Sequence, residues 1–149
     1  VAQAVTEPTA DDATTGISLI EQVDGDIASV TADAAYDTIA FYEAACARGA
    51  GVVVPPAKTA SVSRQRPRSG ARDRTIKRVK LLGRRRWKKA SGCQRQARVE
   101  NAVFRYKSII GDRLRARTPG GRQTEALLAC NVLNRMTELG RPLSYSIGR

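Results

Sequence analysis

An α/β fold, parallel-paired strands covered by helices, is what this sequence predicts, and three observations carry the prediction. Short apolar runs alternate with helix-patterned stretches through residues 1–56. The stretches between runs are long enough for helical crossovers, which favours parallel pairing with helices covering the sheet. Apolar content is ordinary for a globular chain, and 149 residues suffice for one core.

The elements follow in order. "VAQAVTE" (1–7) alternates like a strand, and Pro8 ends it. "DDATTGISLIEQV" reads as a helix capped by Asp11 or Asp12, with Ala13, Ile17, Ile20 and Val23 at helical spacing. "DGD" (24–26) marks a turn. "IASVTAD" (27–33) is a short strand ending in Asp33. "AAYDTIAFYEAACARGA" reads as one helix with Tyr36, Ala40, Ala44 and Ala47 on a stripe and Gly49 at its C-terminal cap. "GVVVPP" is a buried strand stopped by Pro55 and Pro56. The carboxyl rim of such strands is where ligands usually sit, so Asp33 reads either as a rim ligand or as the N-cap of the next helix.

Residues 57–76 lack hydrophobic periodicity and predict a flexible loop. "TIKRVKLLGRRRWKK" predicts a more ordered segment, with Ile76, Val79 and Leu82 apolar amid the bases. Trp87 is placed either to stack on a base or to anchor the segment to the core. In "SGCQRQARVENAVFRYKSIIG" (91–111), Val99, Val103, Tyr106 and Ile110 predict one buried helix face. "TPGG" (118–121) breaks the chain, and "QTEALLACNVLNRMTELG" predicts a last helix burying some of Leu127, Leu128, Val132, Met136 and Leu139.

Charge is distributed in blocks. Residues 1–57 hold nine acids and one base, whereas residues 58–98 hold sixteen Lys/Arg and one acid. A positive field this dense points to a polyanion, most simply nucleic acid. The alternative is a solvated basic loop. A basic RNA-associated protein is also compatible with the charge, although the acidic first third resembles no RNA-binding module. There is no histidine, which excludes imidazole triads. The three cysteines are scattered and form no CxxC, which argues against zinc and against a disulfide framework and fits a reducing cytoplasm. Any metal site must therefore use carboxylates, which suit Mg²⁺ or Mn²⁺. No run is long and apolar enough to span a membrane.

Two stretches taken together resemble a known family. "VTADAAYDTIAFYEAACARGAGVVVPP" resembles the region around the second catalytic aspartate of bacterial insertion-sequence transposases of the DDE type, in the IS-four/IS-five group. "QARVENAVFRYKSIIGDRLRAR" resembles the region around their third catalytic acid. The resemblance implies an RNase-H-like core, a mixed sheet flanked by helices, with Asp33 and Glu100 as catalytic, metal-holding acids, and a basic insertion or loop at about 57–90. It implies double-stranded DNA, as transposon ends and target, as the partner, and a cytoplasmic, nucleoid-associated location. Arg84, Arg85, Arg86, Trp87, Lys88, Arg95, Arg98, Arg105 and Lys107 are the expected DNA contacts.

The family signature on the third-acid helix is Tyr, two residues, Arg, three residues, Glu, six residues, Lys. Its spacing falls here on Cys93, Gln96, Glu100 and Lys107. On an ideal helix these four lie within about 60° of one face. Cys93 and Gln96 depart from the tyrosine and arginine, and Ala34 stands where many relatives have glycine after the aspartate. Losing the arginine removes a phosphate clamp. Arg95 and Arg98 point elsewhere. Asp37, one turn beyond Asp33, reads either as a support for the site or as a favourable charge at a helix start. Glu100 alone would read as a surface ion pair; its match together with Asp33 favours the catalytic role.

The first residue is Val1, and no aspartate on an earlier strand is available to complete the acid set. The expectation is a chain truncated at the N-terminus, the C-terminal part of a catalytic domain, to which a missing N-terminal part or a homodimer partner would contribute. A catalytically inactive DNA-binding remnant is the alternative. Purified chain, incubated with Mg²⁺ and end-bearing DNA in a strand-transfer assay, is expected to yield no joined product; efficient Mg²⁺-dependent joining would overturn this.

Overall fold

The computed structural model describes residues 4–5, 11–63, 65, 67–93 and 97–140, without the side chains of residues 97–99. The expected first strand, residues 1–7, lies almost wholly outside the described residues. The chain divides into two compact units, Val1–Val99 and Glu100–Arg149.

The first unit is α/β. Helix α1 (Asp12–Gln22) starts where the Asp11 side chain accepts from the Thr14 amide at 2.8 Å. That bond holds the Asp11 carboxyl below its ordinary range. Strand β1 (Ser29–Thr31) pairs in parallel with strand β2 (Gly51–Val53), with Val30 opposite Val52. Between them the chain forms a single 3₁₀ turn (Ala34–Tyr36) and then helix α2 (Ile39–Ala47). The sequence predicted one continuous helix here. The break arises because Thr38 turns extended and caps α2 itself, its hydroxyl accepting from the Phe41 amide at 3.2 Å. The buried face of α2 is consequently Phe41, Tyr42 and Ala45, whereas Ala40 and Ala47 of the expected stripe are exposed.

The core gathers Ile20, Phe41, Tyr42, Ala45, Ala50 and Val54, with Ile17, Val30 and Val52 against it. Burying a side chain such as Phe41 stabilises by about 1.5–3 kcal/mol. The Tyr42 hydroxyl donates to the Val54 carbonyl at 3.2 Å, and burial pushes its phenol up to about 12. Gly16 sits mid-helix in α1 for a steric reason. A Cβ there would lie 2.7 Å from the Tyr36 ring and 2.9 Å from the Phe41 ring. Those two rings pack tilted, 5.1 Å apart.

Arg48 closes the other end of α1. Its guanidinium donates to the carbonyls of Ile20 at 3.0 Å, Val23 at 2.6 Å and Gly25 at 2.8 Å. These are carbonyls that the end of a helix leaves without partners.

After β2 the loop is shorter than the sequence predicted. Helix α3 (Gly70–Leu82) begins inside the expected flexible stretch, and Gly83 separates it from helix α4 (Arg84–Ser91). Asp73, the one acid of the basic block, explains the early start. It is 1% exposed, and it accepts from the Ser63 amide at 2.9 Å and the Ser69 hydroxyl at 2.8 Å. Loop and helix are thereby tied together.

A second tie joins α3 to the sheet. Asp37 faces Arg72 in a two-pronged pair, Nε to Oδ1 at 2.8 Å and Nη2 to Oδ2 at 3.0 Å. Its Oδ2 also accepts from the Ala57 amide at 2.9 Å. The Asp37 side chain is 1% exposed and that of Arg72 14%.

The second unit is helical. Helix α5 (Ala97–Ile109) contributes its residues from Glu100 onward, and helix α6 (Pro119–Glu138) follows. "TPGG" does not interrupt the chain ahead of α6. Thr118 caps it, accepting from Gly121, and Pro119 takes the first helical position, where it sacrifices no hydrogen bond. Arg105 on α5 donates to Thr137 on α6 at 3.0 Å. Glu125 accepts from the amides of Arg115 and Ala116, which holds its carboxyl below the ordinary range. The expected buried faces are not realised. Val103, Leu127, Leu128, Val132 and Leu139 are all exposed, and Ala126 and Ala129 are the buried residues of α6.

Two stability measurements follow. Arg48→Ala is expected to lower unfolding free energy by about 2 kcal/mol in a denaturant melt, and Arg48→Lys to recover less than half, because an ammonium cannot fork among several carbonyls. Arg72→Leu strands a buried carboxylate and is expected to cost about 3–5 kcal/mol; adding Asp37→Asn should restore part of the loss.

Candidate functional site

Asp33 stands two residues past the end of β1, where the Ala32 amide still bonds the Val53 carbonyl at 3.3 Å. Its backbone is extended, with φ −82° and ψ −173°, and its Oδ1 accepts from the Ala35 amide at 2.8 Å. It therefore caps the 3₁₀ turn, as one sequence reading held. Its carboxylate is nonetheless exposed, and among the described residues Oδ2 has no hydrogen-bond partner. The side chain sits at the carboxyl rim of a parallel pair with one oxygen free to take a ligand.

What keeps that rim in place was only half read from the sequence, which offered Asp37 as a support for the site but not its partner Arg72. Asp37, four residues on, is neither exposed nor a simple helix-start charge. Through Arg72 and the Ala57 amide it binds the segment after β1 to the segment after β2 and to α3. The sequence signal was faint: one acid near the rim, and one arginine among many in a basic block. Asp73 was visible as the lone acid of that block, but nothing in the spacing marked it as buried.

The basic helices present their charges unevenly. Arg85, Arg86 and Lys88 on α4 are exposed, as are Arg74, Lys77, Arg78 and Lys80 on α3. Arg84 is half-buried and donates to the Pro56 carbonyl at 2.6 Å, so it holds the end of the β2 segment. Trp87 is 3% exposed. Its ring anchors α4 to the unit and offers no face on which a base could stack. Cys93, at the signature's tyrosine position, is buried. Arg95 and Gln96 lie outside the described residues, as does the side chain of Arg98.

On α5, Glu100 and Lys107 are both exposed. Seven residues apart, they fall on one helix face about 10 Å from each other. Arg105 is half-buried and tied to Thr137. Burial, together with Cys130 and Glu125 nearby, raises the Tyr106 phenol above its ordinary range.

Asp33 belongs to the first unit and Glu100 opens the second. Among the described residues no three His, Cys, Asp or Glu side chains come together as a metal-holding group. No helix among them is long and apolar enough to cross a membrane.

No solved structure matches the chain. A family model described as the transposase DDE domain matches residues 1–135. An aspartate on the rim of a parallel strand pair, a basic segment and a later acid-bearing helix all fall within the matched span, and the chain belongs to the transposase DDE domain family.

Proposed function

We propose that the chain serves DNA transposition, with Asp33 and Glu100 as metal-holding carboxylates and the basic helices as its grip on double-stranded DNA. Family membership over residues 1–135, joined to an exposed carboxylate at a strand's carboxyl rim, carries this reading. An RNase-H-like arrangement of the complete sheet and a kinship with the IS-four/IS-five group are part of the same proposal.

The donors suit the ion. Carboxylate oxygens favour hard divalent cations, and Asp33 keeps one oxygen without a partner among the described residues. A bound Mg²⁺ or Mn²⁺ supplies activation of an oxygen nucleophile and charge stabilisation on the leaving oxygen of a phosphodiester. The chain's own residues do the rest. The turn cap fixes Asp33, and the Asp37–Arg72 tie keeps its loop against the sheet. Lys107, on the face of α5 that bears Glu100, pairs with a DNA phosphate. Arg85, Arg86 and Lys88 neutralise phosphates further along the duplex, a contribution that weakens steeply with salt.

A second reading, a DNA-binding remnant without chemistry, is favoured by Cys93. A small buried thiol stands where the family signature has a tyrosine. Calorimetric titration with Mn²⁺ separates the two. The first reading expects saturable binding that weakens at least tenfold in Asp33→Ala and in Glu100→Ala, with DNA retention in low salt unchanged. DNA retention without ion binding establishes the remnant. A chain that retains no DNA at low salt defeats both.

A further inference from the structure

A cavity of about 560 Å³ opens in the first unit, between β2 and the two basic helices. Its size falls in the range of small-molecule sites. Its apolar lining includes Val52, Val53, Ala50 and the nearly buried Trp87. Arg74 and Arg78 line it from α3, one turn apart and therefore roughly 6 Å from each other at Cβ. Both are exposed, and neither enters an ion pair among the described residues, where the arginines so engaged are Arg68, Arg72 and Arg135. Among the described residues no carboxylate lines the cavity. The neighbouring Arg72, on the same helix, is held by Asp37, so the two types of arginine on α3 are distinct in kind.

β2 adds a donor. Its Gly51 amide bonds the Ala28 carbonyl, and its Val53 carbonyl accepts from the Ala32 amide, both toward β1. In a parallel ladder alternate residues face the same neighbour, so the Val52 amide and carbonyl face away from β1, and among the described residues no strand pairs with them.

From these observations we infer that this cavity is a binding site for a phosphate ester carried on a compact planar or apolar body, the chemistry of a nucleotide. Two planar guanidiniums with no acid to neutralise them can fork around the phosphate oxygens. The valine and alanine lining takes the uncharged body. Two sources present this chemistry, a free nucleoside monophosphate and a phosphate of the DNA backbone with its attached nucleoside. The site is independent of Asp33 and Glu100 and does not require that the chain cut DNA.

The chain carries its own reporter. Trp87 is its single tryptophan and lines the cavity, so ligand entry should change indole emission. The full chain is titrated separately with AMP, with inorganic phosphate and with a short DNA duplex. A saturable change with AMP, tighter than with phosphate and weakened about a hundredfold in Arg74→Gln/Arg78→Gln, establishes the free nucleotide as the source. A change with duplex alone, equally sensitive to the double variant, assigns the cavity to the DNA backbone. Arg113→Gln/Arg117→Gln, which alters exposed charge in the second unit, outside the cavity lining, should leave the AMP response intact. A second readout needs no variant. Cys46 is exposed and lines the cavity, so a bound ligand should slow its alkylation by N-ethylmaleimide several-fold while leaving Cys130 unaffected. No saturable change with any of the three probes, or an undiminished response in a folded double variant, overturns the inference. Should the double variant fail to fold, unprotected Cys46 at millimolar AMP and at saturating duplex overturns it equally.

Discussion

The buried pairing of Asp37 with Arg72 is the constraint on which the first unit rests. Three pieces of chain that are remote in sequence meet at one carboxylate: the turn after β1, the segment after β2 and the first turn of α3. Desolvating two charges is costly, and an apolar substitute of similar volume would often be as stable. The geometry nevertheless gives the pair a particular consequence. A two-pronged bond between a guanidinium and a carboxylate fixes orientation as well as distance. The loop carrying Asp33 is thereby held in register with the strand ends, and an exposed carboxylate four residues away keeps its position although nothing packs over it.

The basic character of residues 58–98 has to be read through the same pair. Sixteen positive charges in a short span would repel one another and leave the segment unfolded. Two buried acids counter this, one inside the block and one from the sheet. Asp73 ties its own loop to α3, and Asp37 ties α3 to the strands. Once those anchors hold, Arg74, Lys77, Arg78 and Lys80 on α3 and Arg85, Arg86 and Lys88 on α4 stay exposed while Trp87 turns inward. Much of the charge of this block is therefore displayed on two ordered helices.

Much of this was legible in the sequence, and the misses have physical causes. Strands ending near Asp33 and before Pro55, their parallel pairing, and α1 with its aspartate cap all follow from local pattern, because turn residues and apolar spacing act over a few positions. The break at Thr38 was missed because a capping threonine inside an apolar run looks like any helical residue. The early start of α3 was missed because its anchor, Asp73, works through burial and not through periodicity. In the second unit the leucines at helical spacing suggested a buried seam, whereas the residues that are buried on α6 are Ala126 and Ala129. Spacing alone does not distinguish a face packed through small side chains from one packed through large ones. Asp33's cap and its place at the strand's carboxyl rim were legible because both require the same position. Its support through Arg72 was not, since one arginine among sixteen basic residues carries no label.

Gly83 has φ +77° and ψ 148°, a conformation closed to residues with a side chain, and it lies between the two most cationic helices. With any other residue there, the helical path of α3 would tend to run straight on into "RRRWKK". The indole would then leave the interior, and like charges would stack along one rod with no fixed direction. A missing methyl group thus divides a single charged cylinder in two, each part with an inside and an outside.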